Sequence, residues 1–233
     1  MVDNNNWVKE ILSDQNIALI GFADLTEFDS DSRFELKYGI SIAIALNYEI
    51  VAKIPYGPSM EYYNEYKKVS EQLKFVSNFL VEKIEERGFN AISISRKKQN
   101  ENFRTPFPLK TLATRSGLGW IGRSAALITK QYGNAIRLGG ILTNMPLKTS
   151  VPINSSFCGD CMECVKNCPG NAIIGNLWEL HTDRDELLNA YECKKTVIDR
   201  GKIFGITEGS CGVCLAVCPW TKKYIEYSNK AEI

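Results

Sequence analysis

Apolar residues recur along this chain with two different periods. Over residues 59–87, Tyr62, Tyr66, Val69, Leu73, Val76, Leu80 and Ile84 follow one another at steps of three and four. That spacing puts them on one stripe of a long helix, and Gly88 supplies its stop. Residues 17–23 (IALIGFA) and 39–46 (GISIAIAL) are instead short apolar runs with β-branched members and polar or turn-forming flanks. They predict buried strands, and residues 91–95 read as a third. A short helix is expected over residues 6–15, with Trp7, Ile11 and Leu12 on one side. Another begins near Pro106 and Pro108 and ends at Gly117. Residues 125–129 and 134–144 read as a hairpin about Gln131-Tyr132-Gly133. Residues 145–152 carry two prolines and few large apolar groups, which suits a linker.

Beyond that linker the punctuation changes from hydrophobic period to cysteine spacing. All eight cysteines of the 233-residue chain lie there. One run is Cys158-x2-Cys161-x2-Cys164-x3-Cys168-Pro169; the other is Cys211-x2-Cys214-x3-Cys218-Pro219, with Cys193 between them. In the bacterial two-cluster pattern, three cysteines of a run hold one [4Fe–4S] cluster and the fourth crosses to the other. The expected ligands are Cys158, Cys161, Cys164 and Cys218 for one cluster, and Cys168, Cys193, Cys211 and Cys214 for the second. Structural zinc favours paired C-x2-C knuckles, which this run is not. Residues 1–10 (MVDNNNWVKE) lack a secretory pattern, so reduced thiols are expected rather than disulfides. Pro169 and Pro219 are expected to forbid a continuing helix.

Composition adds limits. Hydrophobic content of 44% and charged content of 24% are ordinary for a globular protein. No apolar run approaches the ~20 residues of a membrane span, so no membrane partner is expected, and the expected compartment is the cytoplasm. Net charge is +1, without the basic surplus of a dedicated nucleic-acid binder. Arg96-Lys97-Lys98 and Lys194-Lys195 are short basic groups that read as solvated faces. The single histidine, His181, leaves no room for a histidine-rich metal site.

Between the helix that ends at Gly117 and the next strand lies Gly117-Leu118-Gly119-Trp120-Ile121-Gly122. A G-x-G-x-x-G run is a dinucleotide fingerprint only when it follows a strand and opens a helix. This one follows a helix, and its glycines suit close approach of backbone to a flat ligand. Taken with the preceding Leu112-Ala-Thr-Arg-Ser116, the following Arg123, the run from Leu138 to Asn144 (LGGILTN) and the cysteine order CGDCMECVKNCPGNAI … Cys193 … CGVCLAVCPW, it resembles the epoxyqueuosine reductase family. The resemblance runs from about residue 7 to about residue 222 and extends to the related reductive dehalogenases.

It implies an α+β fold in which a nitroreductase-like, cobalamin-binding domain (residues 1–148) precedes a ferredoxin-like domain with two [4Fe–4S] clusters (residues 149–233). It implies a base-off cobalamin between the two, contacted by Gly117, Leu118, Gly119, Trp120, Ile121 and Gly122, and favours a corrinoid over a flavin. Glu179, rather than aspartate, lies two residues before His181, so the histidine-ligating D-x-H-x-x-G motif is absent.

Two departures shape the expected function. Arg104, within Phe103-Arg104-Thr105-Pro106-Phe107-Pro108, stands where the family carries its proton-donating aspartate, and the nearest carboxylate is Glu101. A guanidinium does not release a proton at neutral pH. The family's helical-repeat tRNA-binding region is also not found before Ile233. With the weak net charge, this points away from tRNA. The expected activity is therefore a cobalamin-dependent iron–sulfur oxidoreductase acting on the corrinoid itself or on a small molecule, served by a low-potential donor of the ferredoxin or flavodoxin type. Two alternatives stay open: a short epoxyqueuosine reductase of tRNA modification with another proton donor, and a non-catalytic ferredoxin-like electron carrier.

Overall fold

The computed structural model describes residues 3–94, 100–206 and 209–231. The basic run Arg96-Lys97-Lys98 and Ser95, the last residue of the third expected strand, lie outside the described residues. The architecture is mixed helix and sheet. By packing, the chain divides into one unit of residues 1–45, 70–118 and 137–153, and a second of residues 46–69, 119–136 and 154–233. Packing thus interleaves segments where the sequence suggested two consecutive domains.

The first unit is built on a four-stranded sheet of β1 (Leu19–Asp24), β2 (Tyr38–Ala45), β6 (Ile136–Thr143) and β3 (Ala91–Ser93), in the order β1-β2-β6-β3. β1 pairs antiparallel with β2, Gly21 opposite Ser41, and β3 pairs antiparallel with β6, Ile92 opposite Leu142. β2 and β6 are buried along nearly their whole length, the pattern of strands covered on both faces.

Adjacent glycines in β6 show how. Successive side chains of a strand point to opposite faces. A Cβ on Gly140 would meet Leu112 at 2.6 Å, and one on Gly139 would meet Ser77 Oγ at 2.9 Å. Leu112 belongs to α4 (Leu109–Arg115) and Ser77 to α3 (Met60–Glu85). The missing side chains let one helix approach each face. Ala23, Leu25, Leu36, Phe107, Leu112 and Leu142 form a core there.

α3 follows its predicted stripe: Tyr62, Val69, Leu73, Val76, Leu80 and Ile84 are all buried. It ends where Gly88 takes a φ of 81° and the Gly88 and Phe89 amides return to Glu85 and Ile84. α1 (Asn4–Ile11) starts earlier than expected, where Asp3 caps it through the Asn5 amide, and ends earlier, at Ile11.

In the second unit, β4 (Trp120–Ile121) and β5 (Leu127–Ile128) form a small antiparallel hairpin. This corrects the expected pairing of residues 125–129 with 134–144. The chain turns earlier, with Ala125 at a φ of 53° and its amide bonded to the Gly122 carbonyl, so β5 pairs backward while β6 joins the large sheet. The helices are α2 (Tyr48–Ala52), α5 (Glu163–Lys166), α6 (Ala190–Gly201), α7 (Val213–Ala216) and α8 (Pro219–Ala231). Pro219 does not simply end a helix. It occupies the first position of α8, where its fixed φ and missing donor cost nothing. Among the described residues, no helix is long and apolar enough to cross a membrane.

Candidate functional site

α4 delivers the glycine-tryptophan segment. Its end is a Schellman motif: the Gly117 amide donates to the Thr114 carbonyl (3.2 Å) and the Leu118 amide to the Ala113 carbonyl (3.0 Å). Gly117 supplies the positive φ, 71°, that this cap requires. Arg115, two residues earlier, is only 2% exposed; it donates to the Ile153 carbonyl at 2.5 Å and pairs with Glu27 at 3.3 Å.

From Gly119 the chain enters the β4–β5 hairpin. A Cβ on Gly119 would lie 2.0 Å from the Ile128 carbonyl, so only glycine admits that approach. Gly119, Trp120 and Gly122 are buried, whereas Gly117, Leu118 and Ile121 are half-buried. The segment opens no helix, so the dinucleotide context is absent.

The buried cysteines lie close enough to raise one another's pKa. Burial, and then the neighbouring Cys158, Cys218 and Cys161, push the Cys164 thiol up to about 11. Burial raises Cys214 strongly, with Cys211, Cys193, Cys164 and Cys168 adding to the effect. Cys211 is also raised, by burial first and Cys168 among its neighbours, and Cys218 likewise, with Cys158 among its neighbours. Cys164 therefore lies near Cys158, Cys161 and Cys218, while Cys214 lies near Cys211, Cys193, Cys164 and Cys168.

Local structure explains the grouping. α5 carries Cys164, α6 carries Cys193, α7 carries Cys214, and α5 packs on α7. Gly212 caps α7 with a φ of 79°. Crowded thiols raise one another's pKa, and iron offsets that repulsion because a coordinated thiol is held as thiolate. The donor set fits iron–sulfur clusters. Among the described residues, no group of three cysteine, histidine or carboxylate side chains is placed to hold a single metal ion.

One arginine of the segment quoted above gains a role that its place in the sequence did not assign. Arg123 is buried and donates to the carbonyls of Gly175 and Gly159, the latter at 2.5 Å. It thereby ties down the residue that follows Cys158. Arg115 and Arg123 flank the glycine segment in sequence.

Arg104 and Glu101 lie instead on an exposed loop. Asn100 closes it: its side chain accepts from the Arg104 amide at 2.9 Å, and its own amide donates to the Arg104 carbonyl at 2.8 Å. Exposed His181 lines, with Asn154, Ser155, Glu179 and Thr182, an open cavity of about 550 Å³.

Residues 157–221 match the 4Fe-4S double cluster binding domain, so the C-terminal part is a double-cluster module. The chain is 29% identical over 229 residues to an epoxyqueuosine reductase of Atelocyanobacterium thalassa, covering 89% of this chain and 68% of that one. To the epoxyqueuosine reductase of a Synechocystis species it is 33% identical over 134 residues, covering 54% of this chain but 44% of that relative.

A solved epoxyqueuosine reductase with a modified tRNA stem loop superposes with a TM-score of 0.63 at 19% identity, over 94% of this chain and 65% of that one. A catabolic reductive dehalogenase gives 0.71 at 16% identity, over 98% of this chain and 34% of the other. At those identities the two structures show a shared fold. This chain spans only part of most of these relatives.

Proposed function

We propose that this chain, an epoxyqueuosine reductase-like protein, is a cytoplasmic iron–sulfur oxidoreductase that reduces epoxyqueuosine in tRNA with the help of a bound corrinoid. The observation that carries the reading is the likeness to epoxyqueuosine reductases along 89% of the chain, together with the double-cluster module. It corrects the expectation of a corrinoid or small-molecule substrate and the exclusion of tRNA, which rested on Arg104 at the acid position, on the helical-repeat region not found and on a net charge of +1. The relatives carry the name epoxyqueuosine reductase, and one is solved with a tRNA stem loop. The physical error in the charge argument was to average. Phosphate contacts depend on where a few Lys and Arg side chains stand, and a chain-wide sum hides a local basic face.

Removing an epoxide oxygen to leave a carbon–carbon double bond consumes two electrons and two protons and releases water. Two one-electron clusters match that demand. We assign one to Cys158, Cys161, Cys164 and Cys218, the other to Cys168, Cys193, Cys211 and Cys214, within a ferredoxin-like fold. The other part of the chain would be the nitroreductase-like portion. A reduced corrinoid would supply a strong cobalt nucleophile. Half-buried Gly117, Leu118 and Ile121 remain accessible to a flat ligand, while Gly119, Trp120 and Gly122 are engaged within the chain.

Arg104 keeps its proton at neutral pH, so its role would be to bind an anionic group such as a phosphate. Glu101 is the carboxylate nearest to it in sequence for protonating the oxygen.

The test is anaerobic protein with filled clusters, cobalamin and a chemical reductant, given a tRNA stem loop bearing epoxyqueuosine. Mass spectrometry should show loss of one oxygen from the nucleoside. No conversion by protein that holds both clusters and binds cobalamin overturns the reading.

A further inference from the structure

Trp120 is fully buried, with 0% of its surface exposed, yet its indole Nε1 has no hydrogen-bond partner among the described residues. A buried N–H without an acceptor is rare in folded proteins and calls for a bound group. The surroundings say which one.

The Trp120 ring packs against Phe157 (centroids 5.0 Å apart, planes at 54°) and against Trp220 (5.2 Å, 76°). Phe157 immediately precedes Cys158, and Trp220 follows Cys218 by two residues. Both cysteines belong to the same group of four. Two residues on from Trp120, just past β4, a Cβ on Gly122 would stand 3.4 Å from Cys158 Sγ. A second buried donor without an acceptor, Arg123 Nε, lies next in the chain, and its guanidinium grips the carbonyl of Gly159 beside Cys158.

We propose that Trp120 donates its indole N–H to a sulfur of the cluster held by Cys158, Cys161, Cys164 and Cys218, so that the tryptophan is a positioning and potential-setting residue for that cluster. The inference rests on the cluster reading alone, not on the substrate. A hydrogen bond to a cluster sulfur withdraws electron density and favours the reduced form, which raises the reduction potential. Only one of the two clusters should depend on it.

The experiment is a redox titration of the cluster-loaded protein followed by electron paramagnetic resonance, without corrinoid or tRNA. Trp120→Phe keeps an aromatic ring between Phe157 and Trp220 and deletes the donor. The midpoint of one cluster should fall while the other stays in place. Trp178→Phe, at a buried tryptophan outside this wall, should move neither. Two loaded clusters with unmoved midpoints in Trp120→Phe overturn the proposal, and wild-type protein that never loads iron overturns both it and the cluster reading.

Should Trp120→Phe fail to fold, indole ¹⁵N-labelled protein answers the same question. Reduced protein should show an indole nitrogen coupled to a cluster spin by electron–nuclear double resonance, and the coupling should persist in Trp220→Phe. A coupling that is absent, or lost in Trp220→Phe, sinks the assignment.

Discussion

The two packing units obey different rules of assembly. In the first, a sheet buried on both faces meets helices through missing side chains, and the part of α3 from Ser70 onward lies in this unit on a continuous apolar stripe. That unit can stand on burial alone. In the second, α5 and α7 have only four residues each, far below the length at which a helix holds itself in water. Their positions are those the cysteines require. The contrast teaches that half of this molecule is folded by hydrophobic period and half by ligand spacing, so the two should fail under different insults.

The largest effect follows from taking the iron away. Because a preformed site is rare in an unfolded chain, cluster binding is folding free energy for the region that supplies the ligands. Chelating iron from the reduced protein should open residues 154–231 to protease and to amide exchange, while β1, β2 and β6 keep their protection. Simultaneous loss of protection in both regions would break the comparison. Cys214→Ser is the gentler form of the same insult. It should halve the iron content and abolish turnover, with the sheet intact by circular dichroism.

The converse insult is Leu112→Ala. Leu112 is fully buried and rests against Gly39 and Gly140. Its truncation should cost about 2–5 kcal/mol, read by urea denaturation of the first unit, while iron content is unchanged. Gly140→Ala presses on the same spot, a Cβ meeting Leu112 at 2.6 Å, and should cost roughly 1–3 kcal/mol from overpacking. A loss of iron in either variant would show that the units do not fail separately.

Sequence legibility divides along the same line. The stripe of α3 was plain because Tyr62 through Ile84 repeat a single period, and its observed span, Met60–Glu85, lies inside residues 59–87. The two cysteine runs were legible from the residues counted between thiols, and residues 157–221 match a double-cluster module, while the division into two ligand sets is our assignment. The β4–β5 hairpin was misread because its turn relies on Ala125 in a left-handed conformation, and alanine carries no turn signal. What Gly139 and Gly140 do was not legible, since it is visible only once α3 and α4 lie on opposite faces. Trp120 looked like part of a ligand cradle, because an orphaned N–H is a property of burial rather than of spacing.

A smaller effect concerns the pair between Arg115 and Glu27. The arginine is 2% exposed, but the Glu27 side chain is 46% exposed and the contact is 3.3 Å. Half-exposed pairs contribute little, up to about 1 kcal/mol. Glu27→Gln should therefore lower stability by no more than that, and the difference should shrink in high salt. Arg115→Ala should cost more, because it also strips the Ile153 carbonyl of its donor. Equal losses from the two variants would mean that the carbonyl bond contributes nothing.

The smallest effect is a pH dependence confined to the first unit. Asp24 ends β1 and turns the chain by accepting from the Thr26 amide at 2.9 Å and the Thr26 hydroxyl at 2.7 Å. The amide bond chiefly, and then the hydroxyl, hold its carboxyl below the model-peptide value of 3.8, with Arg33 and Lys37 assisting. A carboxyl whose folded pKa is depressed stabilises the fold above its unfolded pKa. That contribution is present at neutral pH, begins to fade below about 3.8 and is gone once pH falls through the lower folded value. Asp24 is exposed, so water screens much of the effect. In Asp24→Asn the difference in urea midpoint from wild type should be slight at pH 7 and should vanish in strong acid. A difference that grows as pH falls would reverse the sign and place the stabilisation in the protonated acid instead.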